Sequence, residues 1–198
     1  VDEKQRRTTG VTGLDFPLEG GFPVGTSIIV YGHPLSGVDL MAKQFWRPES
    51  AEEGEKSVYM VLDEDPSEGM IDAKELSLKG ISDAMVGDRI IIDSLSRIML
   101  IHGNEKALEF MRNEVKAVLN KGSNVMLTLY KDLHKAEDMI LLMRSADIFI
   151  ELDEKIQGNE IERTFWIRKI KGQKVPQRVI PFLITEKGLE LSTTSRVV

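Results

Sequence analysis

Short runs of adjacent apolar and β-branched residues alternate along this chain with longer stretches whose apolar positions recur every third or fourth residue. Ser27–Tyr31 (SIIVY) is unbroken, which predicts a strand buried on both faces. A glycine-punctuated turn follows, and Val38–Trp46 has helical spacing. Ser57–Leu62 (SVYMVL), Asp88–Asp93 (DRIIID), Asn124–Tyr130 (NVMLTLY) and Asp147–Leu152 read as further strands. Between them, Pro66 is placed to open a helix whose apolar stripe is Met70, Ala73 and Leu76. A longer helix is expected over Asn104–Lys121, with Leu108, Met111, Val115, Val118 and Leu119 on one face and Gly122 as its stop. Lys135–Arg144 gives another.

Regular strand–helix alternation requires crossovers between parallel strands. The pattern therefore predicts an α/β protein with a mainly parallel central sheet and helices on both faces. After Leu152 the helical periods stop. Ile161–Ile170, Val179–Ile184 and Leu189–Leu191 are strand-like, joined by the turn signals Gly158-Asn159 and Lys187-Gly188. They predict an antiparallel C-terminal extension of the same sheet. Residues 8–192 are thus expected to form one domain, with 1–7 and 193–198 as flexible ends.

Composition narrows the classes. Hydrophobic residues make up 41% of the 198 and charged residues 29%, a globular balance. Cysteine is absent, which removes disulfides, thiolate zinc sites and thiol catalysis. No run approaches the roughly 20 apolar residues of a membrane span. The first residues lack the apolar core of a secretory signal. A cytoplasmic protein with no membrane partner is the expectation. Lys and Arg number 26 against 32 Asp and Glu, a formal charge of -6, so the surface as a whole does not attract nucleic acid.

In open α/β sheets, sites gather at the carboxyl ends of the strands, which directs attention to Gly32-His33-Pro34-Leu35-Ser36-Gly37-Val38-Asp39. A P-loop has two glycines at this separation, then Lys, then Ser or Thr. Here Val38 and Asp39 occupy those last two positions. The surrounding residues make the segment specific. Thr9-Gly10-Val11-Thr12-Gly13-Leu14-Asp15 precedes it, then Gly20-Gly21-Phe22-Pro23-Val24-Gly25. Downstream come Leu62-Asp63-Glu64-Asp65-Pro66, Ile90-Ile91-Ile92-Asp93-Ser94-Leu95, Lys169-Ile170-Lys171-Gly172, Pro181-Phe182 and Gly188. In this order the motifs resemble the KaiC-like branch of the RecA superfamily, from Thr9 to Leu191.

That resemblance implies a RecA-like three-layer fold and assigns roles by position. Asp93 matches the Walker B carboxylate that holds Mg²⁺ through water. Asp63 and Glu64 match the acidic pair that orients or deprotonates the attacking water. Lys169 and Lys171 match basic residues that reach the phosphates of the neighbouring subunit in a ring. The departures fall on phosphate contacts: Val38 and Asp39 as above, Leu35 for a Gly, Lys171 for an Arg, Val175 for a common His. Lys lacks the planar fork of Arg that suits phosphate.

Helix physics supplies a second reading of the loop. Ser36-x-x-Asp39 has capping-box spacing, which predicts Ser36 as N-cap and Asp39 turned back onto the Ser36 amide. The helix would then satisfy the donors that otherwise hold an anion. Plain structural readings stand beside the catalytic ones: Gly32 and Gly37 as a ligand-free turn, Asp93 as a strand-end cap. Asp63, Glu64 and Asp65 can equally form a solvated turn, with Asp65 capping the helix after Pro66. His33, His102 and His134 show no metal spacing. Trp46 and Trp166 read as packing residues.

Charge is uneven. Between Glu49 and Glu75 ten acids stand against Lys56 and Lys74. Between Arg163 and Arg178 lie Arg163, Arg168, Lys169, Lys171, Lys174 and Arg178 with no acid. This hairpin could dock on a neighbour's acidic site. Nucleic acid ranks lower, because only Phe165 and Trp166 interleave it. The favoured reading is a degenerate, non-hydrolysing KaiC-like protein with a regulatory or assembly role in signal transduction and no cofactor. It would form a homo-oligomer or join an active paralogue. Two readings stay open beside it. One is an ATPase of weak or oligomer-dependent activity. There residues 32–39 hold ATP, Asp93 holds Mg²⁺, Glu64 and Asp63 handle the water, and a neighbour's lysines complete the site. The other is a DNA-associated RecA relative.

Overall fold

The structure, a computed structural model, describes residues 5–192. β1 (Arg6–Arg7) and β2 (Phe22–Pro23) form a small antiparallel pair that leads into the main sheet. Then follow β3 (Ser27–Gly32), α1 (Val38–Trp46), β4 (Ser57–Val61), β5 (Ile71–Asp72), α2 (Leu78–Ala84), β6 (Arg89–Asp93) and α3 (Leu95–His102). α4 (Asn104–Phe110) runs through a π-helical turn (Met111–Val115) into α5 (Lys116–Leu119). β7 (Asn124–Tyr130), α6 (Ala136–Ser145), β8 (Ile148–Gln157), β9 (Glu160–Ile170), β10 (Ile180–Thr185) and β11 (Gly188–Leu191) complete the chain.

The nine-stranded sheet has the order β11-β10-β9-β8-β3-β7-β6-β4-β5. From β5 to β8 neighbouring strands are parallel; from β8 to β11 they are antiparallel. Side-chain alternation splits the core into two layers. Ile28, Val30 and Ile91 face α1, the leading segment and the inner side of β9–β11. Ile29, Ile90 and Ile92 face α2 to α6. This is the three-layer α/β architecture that the strand–helix alternation implies.

The TGVTGLD segment proves to be scaffold. Asp15 accepts from the Thr9 amide at 2.8 Å and from the Thr8 and Thr9 hydroxyls at 2.6 Å each. Gly10 has φ 74°, and a Cβ there would stand 2.2 Å from the Gln44 carbonyl oxygen. Gln44, on α1, donates to the Gly10 and Leu189 carbonyls and accepts from the Leu189 amide. The helix behind the candidate loop is thus fastened to both ends of the chain.

Two expectations need correction and one helix must be added. No helix follows Pro66: Gly69 takes φ 83°, and Ile71–Asp72 adds instead as a short parallel edge strand on β4. The helix starts later, where the Ser77 side chain accepts from the Gly80 amide. Asp65 caps nothing and pairs with Lys74 at 2.8 Å. A separate helix, α3, precedes Asn104; Ser94 caps it, and Gly103 at φ 83° divides it from α4. Arg6 and Arg7 are not a loose end. Arg7 is buried, and it pairs with Glu55 and donates to Asn124 Oδ1 and the Gly122 carbonyl. The Gln5 carbonyl accepts from the Val24 amide at 2.9 Å, and the remaining expected flexible residues, 1–4 and 193–198, lie outside the described residues.

Candidate functional site

The loop leaves β3 at Gly32, at the carboxyl edge of the sheet. The chain closes tightly there: a Cβ on Gly32 would meet Ser36 Oγ at 2.5 Å and Val38 Cγ2 at 2.8 Å. The Ser36 amide and hydroxyl both donate to the His33 carbonyl, at 3.1 and 2.7 Å. Ser36 is therefore a turn residue, fully buried. Leu35 projects outward, 86% exposed, at φ 69°. His33 is half-exposed and lies 3.6 Å from Asp132. Pro34 and Leu35 form the crest of the loop.

The capping box does not form. Gly37, in the left-handed region at φ 104°, is the N-cap of α1, and no side chain caps the helix. A Cβ at Gly37 would meet Leu189 Cδ2 at 2.8 Å, so β11 packing fixes this glycine. With the N-cap shifted one residue on, Asp39 falls in the first turn. It pairs forward with Lys43 at 3.5 Å instead of reaching back. Its charge still sits at the positive helix end. Val38 is 1% exposed and packs into the core beneath the loop.

The strand ends bring the acidic positions together. Asp93, at the end of β6, is 7% exposed. Its Oδ2 accepts from the Tyr59 hydroxyl and its Oδ1 from the Thr128 hydroxyl, both at 2.6 Å, with the Tyr130 hydroxyl at 3.4 Å. Burial pushes the Asp93 carboxyl above the usual range; the Thr128 and Tyr59 hydrogen bonds oppose this, and Asp63 and Asp39 add to it. Asp93 caps no helix; that role belongs to Ser94, which also donates to Asp63 at 2.7 Å. Asp63 and Glu64 are exposed. Burial, followed by the fields of Asp93, Asp63, Asp39 and Glu64, raises the Tyr130 phenol. The carboxylates of the loop, the acidic pair and β6 thus share one neighbourhood. The hydroxyl set around Asp93 escaped the sequence reading; its one signal was Thr128, a polar residue inside an apolar strand.

Lys169 and Lys171 lie elsewhere, at the amino-terminal edge of β8. Lys169 Nζ donates to the carbonyls of Met143 at 3.1 Å, Arg144 at 2.8 Å, and Ala146, so it caps the end of α6 within its own chain. The expected contact of Lys169 with a neighbour would have to displace these carbonyls. Lys171 is 68% exposed and pairs with Asp147 at 3.2 Å. Other basic residues of the hairpin are also engaged: Arg163 with Glu154 at 3.5 Å and Arg168 with Glu151 at 2.7 Å. Arg168 stacks on Trp166, which is 44% exposed, so Trp166 is a surface platform and not a core residue.

These residues do not fit the magnesium–nucleotide complex that the resemblance implies. The lysine position holds a buried valine, the hydroxyl position a carboxylate, and both Asp93 oxygens already accept hydroxyl hydrogens. Among the described residues, no group of three or more His, Asp or Glu side chains is placed to hold a metal ion. Among them too, no helix is long and apolar enough to cross a membrane.

Comparison with known proteins agrees on the fold. A family model described as "Family of unknown function (DUF7125)" matches residues 6–196. A UPF0273 protein of Aeropyrum pernix is 23% identical over 93% of this chain and 92% of its own. A second UPF0273 protein, from Pyrococcus horikoshii, is 23% identical over 93% of both chains. Among solved structures, a KaiC-like protein from Pyrococcus horikoshii OT3 superposes with a TM-score of 0.78 and 23% identity, covering 95% of this chain and 99% of that one.

Proposed function

The chain belongs to the Family of unknown function (DUF7125), and on that footing we propose that it is a KaiC-like, RecA-fold protein that does not hydrolyse ATP and acts as a regulatory or assembly component in signal transduction. The carrying observation is Val38. The position from which a lysine would reach the terminal phosphates is turned into the core and packed against Gly32. Asp39 adds a negative charge where the metal-binding hydroxyl belongs. Asp93, Asp63 and Glu64 then form an acidic neighbourhood whose buried member is held by protein hydroxyls. The partner under this reading is a second copy or an active paralogue, whose carboxylates would compete with Asp147 for exposed Lys171.

Calorimetry with Mg-ATP tests the reading. The protein is expected to show no micromolar binding and no hydrolysis. The double variant Val38→Lys/Asp39→Thr is expected to gain nucleotide binding, seen also as a ligand-dependent rise in Tm. Micromolar ATP binding by the unaltered chain would refute it. One observation favours the runner-up, a residual ATP-binding ATPase: no side chain caps α1, so its first-turn amides keep their affinity for an anion.

A further inference from the structure

A concave feature lies at the opposite, amino-terminal edge of the sheet, between the π-helical turn, α5 and α6. It has a volume of about 560 Å³, within the range typical of small-ligand pockets, roughly 300–1,000 Å³. Leu108, Met111, Leu119 and Leu141 give it an apolar floor. Arg112, Lys116, Arg144 and Lys171 line it as cations, against the single acid Asp147.

Asp147 is already committed. Its Oδ2 accepts from the Ser27 amide and hydroxyl, both at 3.0 Å, and its Oδ1 faces Lys171 at 3.2 Å. Burial alone would raise its carboxyl, but the Ser27 amide, Lys171 and the Ser27 hydroxyl hold it below the usual range. It is therefore a fixed anion that neutralises Lys171. Among the described residues, Arg112, Lys116 and Arg144 form no ion pair within 4 Å; Arg112 Nε donates to the Leu108 carbonyl at 3.2 Å, and Glu109, which pairs with Lys106, adds a weaker field at Arg112. The carboxyl end of α6 would ordinarily oppose an anion here. Lys169 covers those carbonyls, which removes the opposition. Arg112 and Met111 both belong to the π-helical turn, and such turns frequently occur at functional sites.

We propose that this cleft binds a small phosphorylated organic molecule, its phosphate held by Arg112, Lys116 and Arg144 and its apolar or aromatic part on the Leu108–Met111–Leu141 floor. Guanidinium forks recognise phosphate oxygens in pairs, and Lys116 adds a point charge. The floor selects an organic phosphate over the bare ion. The site is distinct from the β3 loop and does not depend on whether that loop binds nucleotide.

The test is calorimetric titration of the full chain with 1-naphthyl phosphate, inorganic phosphate and 1-naphthol. Naphthyl phosphate is expected to bind at least about tenfold more tightly than either fragment, with affinity falling as salt rises. Arg112→Gln/Arg144→Gln changes two exposed helix residues and is expected to weaken binding by about tenfold or more. Circular dichroism checks that the fold is kept. Val38→Lys/Asp39→Thr is expected to leave naphthyl phosphate affinity unchanged. No binding at millimolar ligand overturns the proposal. So does an affinity that follows the loop variant and ignores the cleft variant. Equal affinity for inorganic phosphate removes the role of the floor and overturns the organic ligand class. Unchanged ligand affinity with altered sedimentation in the cleft variant assigns the surface to a protein contact, which also overturns it.

Discussion

Replacing Glu55 by Gln is expected to cost the fold about 3–5 kcal/mol, the range for breaking a buried ion pair by removing one partner. Glu55 stands between two guanidinium groups, Oε1 toward Arg7 and Oε2 2.8 Å from Arg89 Nε. The side chains of Arg7, Glu55 and Arg89 are only 8%, 10% and 2% exposed, so solvent screens the contact little. Burial already draws the Arg89 guanidinium below its ordinary range, against the opposing pull of Glu55. Without Glu55, Arg7 keeps Asp88 at 3.6 Å. Arg89 keeps only the Thr8 and Phe45 carbonyls, at 2.8 and 3.2 Å, and the face of the Phe45 ring. In a chain of this size each kcal/mol moves Tm by about 2–4 °C, so a fall of roughly 6–20 °C should follow. Urea and thermal unfolding followed by circular dichroism measure it. Arg7→Met/Glu55→Leu/Arg89→Met removes all three charges and should recover more than half of the loss, because apolar replacement of a buried ionic cluster is often near neutral. A loss below about 1 kcal/mol for Glu55→Gln would refute the reasoning. A triple variant no better than the single would also refute it.

Two further outcomes follow from the same physics. Asp93→Asn should stabilise the protein at neutral pH, by about 1.4 kcal/mol for each unit by which its carboxyl is raised. The sign follows from proton linkage: a raised folded-state carboxyl makes stability fall as pH climbs from the unfolded value through the folded one. The gain should vanish on acidification below both values, and a destabilised Asp93→Asn at neutral pH would contradict the account. Lys169→Met keeps the aliphatic stem but removes the α6 cap, at a cost of about 1–2 kcal/mol. Faster amide exchange in the last turn of α6 should accompany it; unchanged exchange would sink the capping role.

The strands around the site were legible because they are continuous apolar runs, and a short β-branched run such as Ile90–Ile92, bounded by charged residues, favours a buried strand. The acidic pair and Asp93 were legible by their position at strand ends. The helix after Pro66 misled because Met70, Ala73 and Leu76 have helical spacing, whereas Gly69 and the exposed edge of β4 offered Ile71 a strand. The capping box failed by one residue, since Leu189 packing leaves room only for glycine at 37 and shifts the N-cap there. The Glu55 clamp could not be read at all: it joins residues 48 and 34 positions apart, and no local pattern records such a meeting. The same holds for the basic cleft, whose cations come from the π-helical turn, α5, α6 and the end of β9.

Lys169 carries one further consequence. Its ammonium has a choice of partners only if α6 is allowed to change. Any assembly that draws Lys169 onto another molecule must first release the carbonyls of Met143, Arg144 and Ala146, so association and the last turn of α6 become coupled equilibria. A neighbour that takes the lysine loosens the helix, and anything that tightens the helix weakens the neighbour's hold. Because α6 also forms one wall of the basic cleft, a ligand bound there would meet the same helix end, so any exchange of partners at Lys169 would be felt in the cleft with no contact to the loop after β3.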